Sequence, residues 1–264
     1  MDFVEGSILD TAALRTAFEG SDAIVHLAAR PSVPRSLQDP RSTHEVNVTG
    51  TLNVLEAARS SGGIHTIIAS SSSVYGANET LPKSEHLATR PMSPYAASKL
   101  AAEAYALSWS HSFDLPVLAL RFFNVFGPLQ RADHAYAAAI PKFIDALLSG
   151  TPIEVYGSGE QTRDFTYVGS VCTLITRAIE DNVHSREPVN CAFGSRTSLL
   201  ELIALLSNLA GVEPQLDFRP ARTGDVLHSQ ADDSHLRQLF PACRATDLST
   251  GLSSTVEWFR SLRS

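Results

Sequence analysis

Ile64-His65-Thr66-Ile67-Ile68-Ala69-Ser70-Ser71 is the stretch that decides the fold. It is an apolar run of β type that ends in hydroxyls, and Ser72 and Ser73 extend the polar exit to four serines. Open parallel α/β sheets take their ligands at the carboxyl ends of their strands, so side chains at such an exit are placed to meet one. Working outward, Ala23 to Ala29 is a second buried-strand candidate, followed by a loop rich in proline and serine as far as Pro40. Thr43 to Ser60 and Pro94 to Phe113 read as helices, and Val117 to Phe123 as the next strand, ending at Asn124 and Gly127-Pro128. Apolar runs alternating with helical stretches predict an α/β fold, a parallel sheet covered by helices.

Past residue 128 the pattern loosens. Ala137 to Ser149, Val168 to Glu180, Ser198 to Ala210 and Thr255 to Leu262 read as helices, Ile153 to Tyr156 as a short strand, and Gly157 to Glu160 as a turn. The expected division is 1–128 and 129–264, the second part being a smaller α+β lobe with some segments returning to the first. A chain of 264 residues, 44% hydrophobic, can bury a sizeable core. A net charge of −7 with no Lys/Arg-rich run argues against nucleic acid or an anionic membrane as the main partner and leaves a small molecule. No apolar stretch approaches the roughly 20 residues of a membrane helix. Asp2, Glu5 and Asp10 stand where a targeting leader would be basic, so the chain reads as cytoplasmic. Cys172, Cys191 and Cys243, odd in number and far apart, fit neither a disulfide framework nor a metal site, and read as buried free thiols.

Tyr95-Ala96-Ala97-Ser98-Lys99 puts a phenol and an ammonium four residues apart, on one face of a helix. A phenol that must take a proton from an alcohol near neutral pH needs its pKa of about 10 brought down, and a neighbouring cation does this. Ser71, 24 residues earlier, adds a hydroxyl that would hold the same substrate oxygen. With these in place the sequence resembles the extended short-chain dehydrogenase/reductase family over essentially its whole length. The motifs run in order: Val25 to Ala29, Asn47 to Thr51, Ser70 to Gly76, Tyr95 to Lys99, Arg121 to Pro128, Arg163 to Phe165, and Gly224-Asp225. The resemblance implies a Rossmann-type doubly wound parallel sheet, with Tyr95 as base, Lys99 as the ribose-binding cation and Ser71 orienting the sugar hydroxyl. It also implies an NAD site that includes Ile8, Leu27, Ala28, Ala29, Asn47 and Phe123.

The dehydratase branch of the family carries an acid and a base before its Val-Tyr-Gly, where this chain has Ser71, Ser72 and Ser73. Without those carboxylates, epimerisation or simple oxidation-reduction remains, and the UDP-sugar 4-epimerases look most similar. In them C4 is oxidised to a transient keto sugar by bound NAD and reduced again on its other face. For the nucleotide, Arg163 and Arg222 suit phosphate oxygens as guanidinium forks. By resemblance, Asp225 would accept from a ribose hydroxyl, Asn124 would reach phosphate or sugar, and Tyr156 would lie near the uracil. Ser32 and Ser72 complete the expected substrate contacts. Ser229, small where relatives restricted to plain hexoses carry a bulky Tyr, predicts room for an acetamido group. UDP-glucose/UDP-galactose and uronate sugars stay open as substrates. Two helices per subunit, here Tyr95 to Phe113 and Thr43 to Ser60, would form a homodimer by the same resemblance.

Relatives begin with a strand, a Gly-rich turn, a helix and a second strand that this sequence does not contain. The expectation is therefore a sheet lacking its first βαβ unit, a segment of about 30 residues or more. The glycines bring a helix N-terminus to the pyrophosphate, so without them the chain is expected to bind NAD poorly. Asp2 to Val4 would form an outer strand without its neighbour, leaving Ile24 to Leu27 as an exposed apolar edge. Beside the epimerase stand two other readings: a catalytically impaired fragment that keeps a UDP-sugar-binding module, and an NAD-dependent UDP-sugar oxidoreductase.

Overall fold

A computed structural model of the chain describes residues 2–132, 138–221 and 227–263. The structure forms two compact units. The first comprises residues 1–79, 85–122 and 174–191, the second 80–84, 123–173 and 192–264.

The first unit is built on a four-stranded parallel sheet in the order Ala23–His26, His65–Ser71, Val117–Phe122, Val189–Cys191. Register is continuous across it: Ile67 pairs with Val25 and Leu118, and Leu120 with Val189. His65–Ser71 is buried almost throughout, because its two faces are both covered, as parallel strands require. One face sends Ile24, Ile68, Val117 and Ala119 into a cluster with Val54, Leu55, Ala58 and Ala106 of the helices Gly50–Ser60 and Pro94–Phe113. Ala23–His26 is the sheet's edge, and Val25 and Leu27 stand 36% and 56% exposed there, as expected for an apolar edge. Asp2 to Val4 differs from the expectation: it forms no strand, since no neighbour offers it a ladder of hydrogen bonds.

Pro94–Phe113 matches its predicted bounds because both ends are marked. Ser93 accepts from the Ala96 N–H at 3.1 Å, Pro94 occupies the first turn, and Asp114 turns left-handed at φ 51°. Elsewhere local chemistry overrode the reading. The stretch before Pro40 contains a helix, Val33–Gln38, capped by Ser32 with Pro34 in its first turn. The helix expected from Thr43 starts at Pro40 behind an Asp39 cap and passes through a π-helical turn, Glu45–Thr49, before Gly50–Ser60. Thr11–Phe18, capped by Asp10, and the strand Val189–Cys191 were not foreseen.

The second unit gathers Ala139–Ser149, Leu199–Ala210 and Leu248–Ser261 around a core of Phe126, Ile144, Ile153, Leu206, Leu252 and Phe259. Ile153–Tyr156 pairs in parallel with Leu216–Arg219, a strand the sequence did not reveal. The last helix starts at Leu248, seven residues before the expected Thr255, because Asp247 accepts from the Thr250 N–H at 3.3 Å and so fixes its beginning. Cys191 alone is a buried thiol, pushed up to about 12 by burial; Cys172 is exposed and Cys243 half-buried, which corrects the expectation of three buried thiols. Among the described residues no helix is long and apolar enough to cross a membrane.

Candidate active site

Tyr95, Lys99 and Glu103 recur every fourth residue along Pro94–Phe113 and so share the face that packs on the sheet. The Tyr95 phenol lies near enough to the Ser71 hydroxyl, at the carboxyl end of its strand, for that hydroxyl to lower its pKa. Ser71 Oγ accepts from the Ser73 N–H at 3.2 Å and from the Ser73 hydroxyl at 2.9 Å, which leaves its own proton for the phenol oxygen. Lys99 Nζ donates to the Ala69 carbonyl at 2.6 Å. Burial lowers the Lys99 pKa to about 8. The phenol differs from the sequence expectation: burial holds Tyr95 above its ordinary value, and the Ser71 hydrogen bond is what pulls it down. Desolvation of an anion outweighs a neighbouring donor here, and the ammonium spends one proton on a backbone carbonyl.

The same unit organises the other first-half positions. Asn47, on the π-helical turn, accepts from the Arg30 N–H at 2.6 Å and donates to the Arg30 carbonyl at 3.2 Å and to Ser98 Oγ at 2.9 Å. It thereby ties the loop after the edge strand to the helix that bears Tyr95 and Lys99, one residue before Lys99. Leu27 and Ala28 are exposed beyond that strand, and Ala29 is half-buried. Ile8 packs against Gly50, where any Cβ would lie 2.7 Å from Ile8 Cγ1. Ser32 caps Val33–Gln38 through a 3.3 Å bond from the Arg35 N–H, and Ser72 opens the 3₁₀ turn after Ser71. His26 escaped the sequence reading. It is buried on the edge strand, 3.0 Å from Thr51 Oγ1, with its pKa lowered to about 4 by burial and by the charge of Lys99.

In the second unit Asn124, Tyr156 and Arg163 line one cavity of about 540 Å³, together with Gln161, Lys142 and Phe165. Arg163 donates to the Thr162 and Leu227 carbonyls at 2.9 and 3.2 Å, and Asn124 to the Asp164 carbonyl at 3.1 Å. Phe123 is fully buried. Ser229 is half-buried, bonded through its N–H to the Thr162 carbonyl at 3.1 Å, and is not among the cavity's lining residues. Arg222 and Asp225 lie outside the described residues. Asp164 was missed by sequence reading. Buried completely, it accepts from Ser195 Oγ at 2.8 Å and the Ala231 N–H at 3.0 Å, and burial raises its pKa to about 6.

A parallel α/β sheet that brings a phenol, an ammonium and a serine hydroxyl together at one strand's carboxyl end defines an enzyme of the nicotinamide-dependent kind, built to move a proton on an alcohol. The chain belongs to the NAD dependent epimerase/dehydratase family, which it matches over residues 1–192. It is 35% identical over 264 residues to the UDP-glucose 4-epimerase of Mycolicibacterium smegmatis, covering 98% of this chain and 83% of that one. Among solved structures it resembles the UDP-N-acetylglucosamine 4-epimerase of Methanobrevibacter ruminantium in complex with UDP-N-acetylmuramic acid, with a TM-score of 0.93 and 35% identity over 98% of this chain and 83% of that one. It also resembles the UDP-glucuronic acid 4-epimerase of Bacillus cereus in complex with UDP-glucuronic acid and NAD, with a TM-score of 0.89 and 30% identity over 99% and 82% of the two chains.

Proposed function

We propose that this protein is a UDP-sugar 4-epimerase using NAD, with Tyr95 taking the proton from the C4 hydroxyl and returning it, and Ser71 holding the same oxygen. The observation that carries the reading is the Ser71 hydroxyl at the strand end, near enough to the Tyr95 phenol to lower its pKa, with Lys99 on the same helix face. The residues present fit the nicotinamide side of the cofactor: exposed Leu27 and Ala28 offer an apolar ledge at a strand's carboxyl end, and Lys99 offers a cation for ribose hydroxyls. Bound NAD supplies a hydride acceptor and donor for C4. As the proton leaves, the Ser71 hydroxyl stabilises the developing charge on the sugar oxygen. Burial disfavours the phenolate, so the deprotonated Tyr95 that takes the C4 proton depends on the Ser71 hydroxyl, which lowers the phenol pKa.

The second-unit cavity is where the nucleotide would sit, with Arg163 forking onto a diphosphate oxygen, Tyr156 against the base and Asn124 at phosphate or sugar. Arg222 and Asp225 would add the second guanidinium and the ribose acceptor, and Ser229 the room for an acetamido group. A homodimer through the helices expected at Tyr95 to Phe113 and Thr43 to Ser60, acting in the cytoplasm, completes the reading. Incubation with UDP-glucose, UDP-N-acetylglucosamine and UDP-glucuronate in turn, with NAD present and products separated by chromatography, tests it. Interconversion at C4 without net NADH is expected, and Tyr95→Phe should lower the rate roughly 10²- to 10⁴-fold. Net NADH accumulation would instead establish the oxidoreductase, and UDP-sugar binding without turnover the binding module.

A further inference from the structure

Ser70, Arg121 and Asn190 are registered neighbours across three adjacent strands, one row before the row that carries Ser71. All three are buried, at 3%, 3% and 0% exposure, in a row where an α/β core is ordinarily apolar. Glu103 reaches this row from the helix of Tyr95 and Lys99. Its carboxylate accepts from Ser70 Oγ at 2.5 Å, and from Arg121 Nε and Nη2 at 2.9 and 2.7 Å. Arg121 Nη1 donates to the Tyr75 hydroxyl at 2.9 Å, Tyr75 donates to Asn190 Oδ1 at 2.6 Å, and the Asn190 N–H donates to Glu85 Oε1 at 2.7 Å. A buried ion pair is costly to desolvate, and a well-packed apolar pair often serves stability as well or better. What a bidentate guanidinium–carboxylate fork adds is a fixed distance and angle. Here the fork joins the catalytic helix to the strand pair beneath Ser71. Glu103 lies one helical step beyond Lys99 and two beyond Tyr95, so a slip or rotation of the helix would break the fork and both catalytic contacts together.

We propose that Glu103 is a positioning residue, whose fork to Arg121 and bond to Ser70 set the axial position and rotation of the helix so that Tyr95 meets Ser71 and Lys99 meets Ala69. The proposal rests on the epimerase reading only for which reaction is being positioned. Two variants of the full chain test it: Glu103→Gln, which keeps shape but removes the charge, and Ser70→Ala, which removes one bond and leaves the ion pair. The readouts are kcat and KM for the UDP-sugar and the titration midpoint of the Tyr95 phenol, isolated by ultraviolet difference against Tyr95→Phe. Glu103→Gln is expected to lower kcat roughly ten- to a hundredfold while KM stays within about twofold, and to move the phenol midpoint. Ser70→Ala should do the same to a smaller extent and decides the matter if the glutamine variant does not fold. A lowered Tm with unchanged kcat per folded molecule and an unchanged phenol titration would overturn the proposal and leave Glu103 a purely structural group. Absence of turnover by the wild type would defeat the epimerase reading, while the phenol titration would still decide the positioning.

Discussion

The Lys99 ammonium is tied to the Ala69 carbonyl at 2.6 Å, and the burial that goes with this bond brings its pKa down to about 8. The cation that shares a helix face with Tyr95 is therefore lost within reach of ordinary assay conditions, where an exposed lysine would keep its charge. Activity that needs this cation should fall as pH rises through about 8.

The same shift makes a prediction about stability. The folded value lies below the ordinary 10.5, so between about 8 and 10.5 the unfolded chain holds a proton that the folded chain lacks. Stability from this group therefore rises with pH across that window. Denaturant midpoints of the wild type should gain on those of Lys99→Met as pH climbs through it. Parallel curves would show that Lys99 is not desolvated as described.

His26 should dominate an acid-sensitive component. The Thr51 hydroxyl donates to the Asn47 carbonyl at 2.7 Å, which assigns the His26 Nε2 contact as the ring N–H donating to Thr51. Burial, then the charge of Lys99, lowers the His26 pKa from 6.5 to about 4. Below 6.5 the unfolded chain takes a proton the folded chain refuses, so stability falls from there down to about 4, by roughly 3 kcal/mol in full. Asp164 acts with opposite sign. Its folded value of about 6 lies above 3.8, so its contribution is lost as pH rises through that window. Comparing wild type with His26→Gln isolates the histidine: the difference between the two stabilities should shrink on acidification, and a constant difference would refute the assignment.

Gly76 follows Val74 and Tyr75 at a turn with φ 46°, and a Cβ there would lie 2.7 Å from the Arg90 carbonyl carbon. Backbone, unlike a side-chain tip, cannot swing aside, and positive φ adds its own strain. Gly76→Ala should therefore cost about 2 kcal/mol or more, read as a lower denaturant midpoint at an unchanged slope. A change under 0.5 kcal/mol, roughly the scatter of ordinary surface substitutions, would mean that the turn relaxes freely.

The strands His65–Ser71 and Val117–Phe122 and the helix Pro94–Phe113 were legible in the sequence, because their apolar runs and the Ser93-Pro94 start are local signals. So were Ser71, Tyr95 and Lys99, whose spacing on one helix and at one strand end is a matter of chain geometry. Val189–Cys191 and Leu216–Arg219 were not, since short strands take their form from pairing partners far along the chain. Nor were His26, Glu103 and Asp164. Buried polar groups acquire their roles from what desolvates them and what they bond, and Glu103 meets Arg121 only once helix and strand have packed.

By itself the sequence determined the parallel α/β layout, the helix that carries a phenol and an ammonium four residues apart, and the serine at the strand exit. Tertiary structure alone decided their protonation. The sequence predicted a phenol made acidic by Lys99, whereas burial holds Tyr95 above its ordinary value and brings Lys99 down to about 8. Spacing along a chain fixes which groups can meet. The desolvation that sets their charge exists only when distant segments close over them.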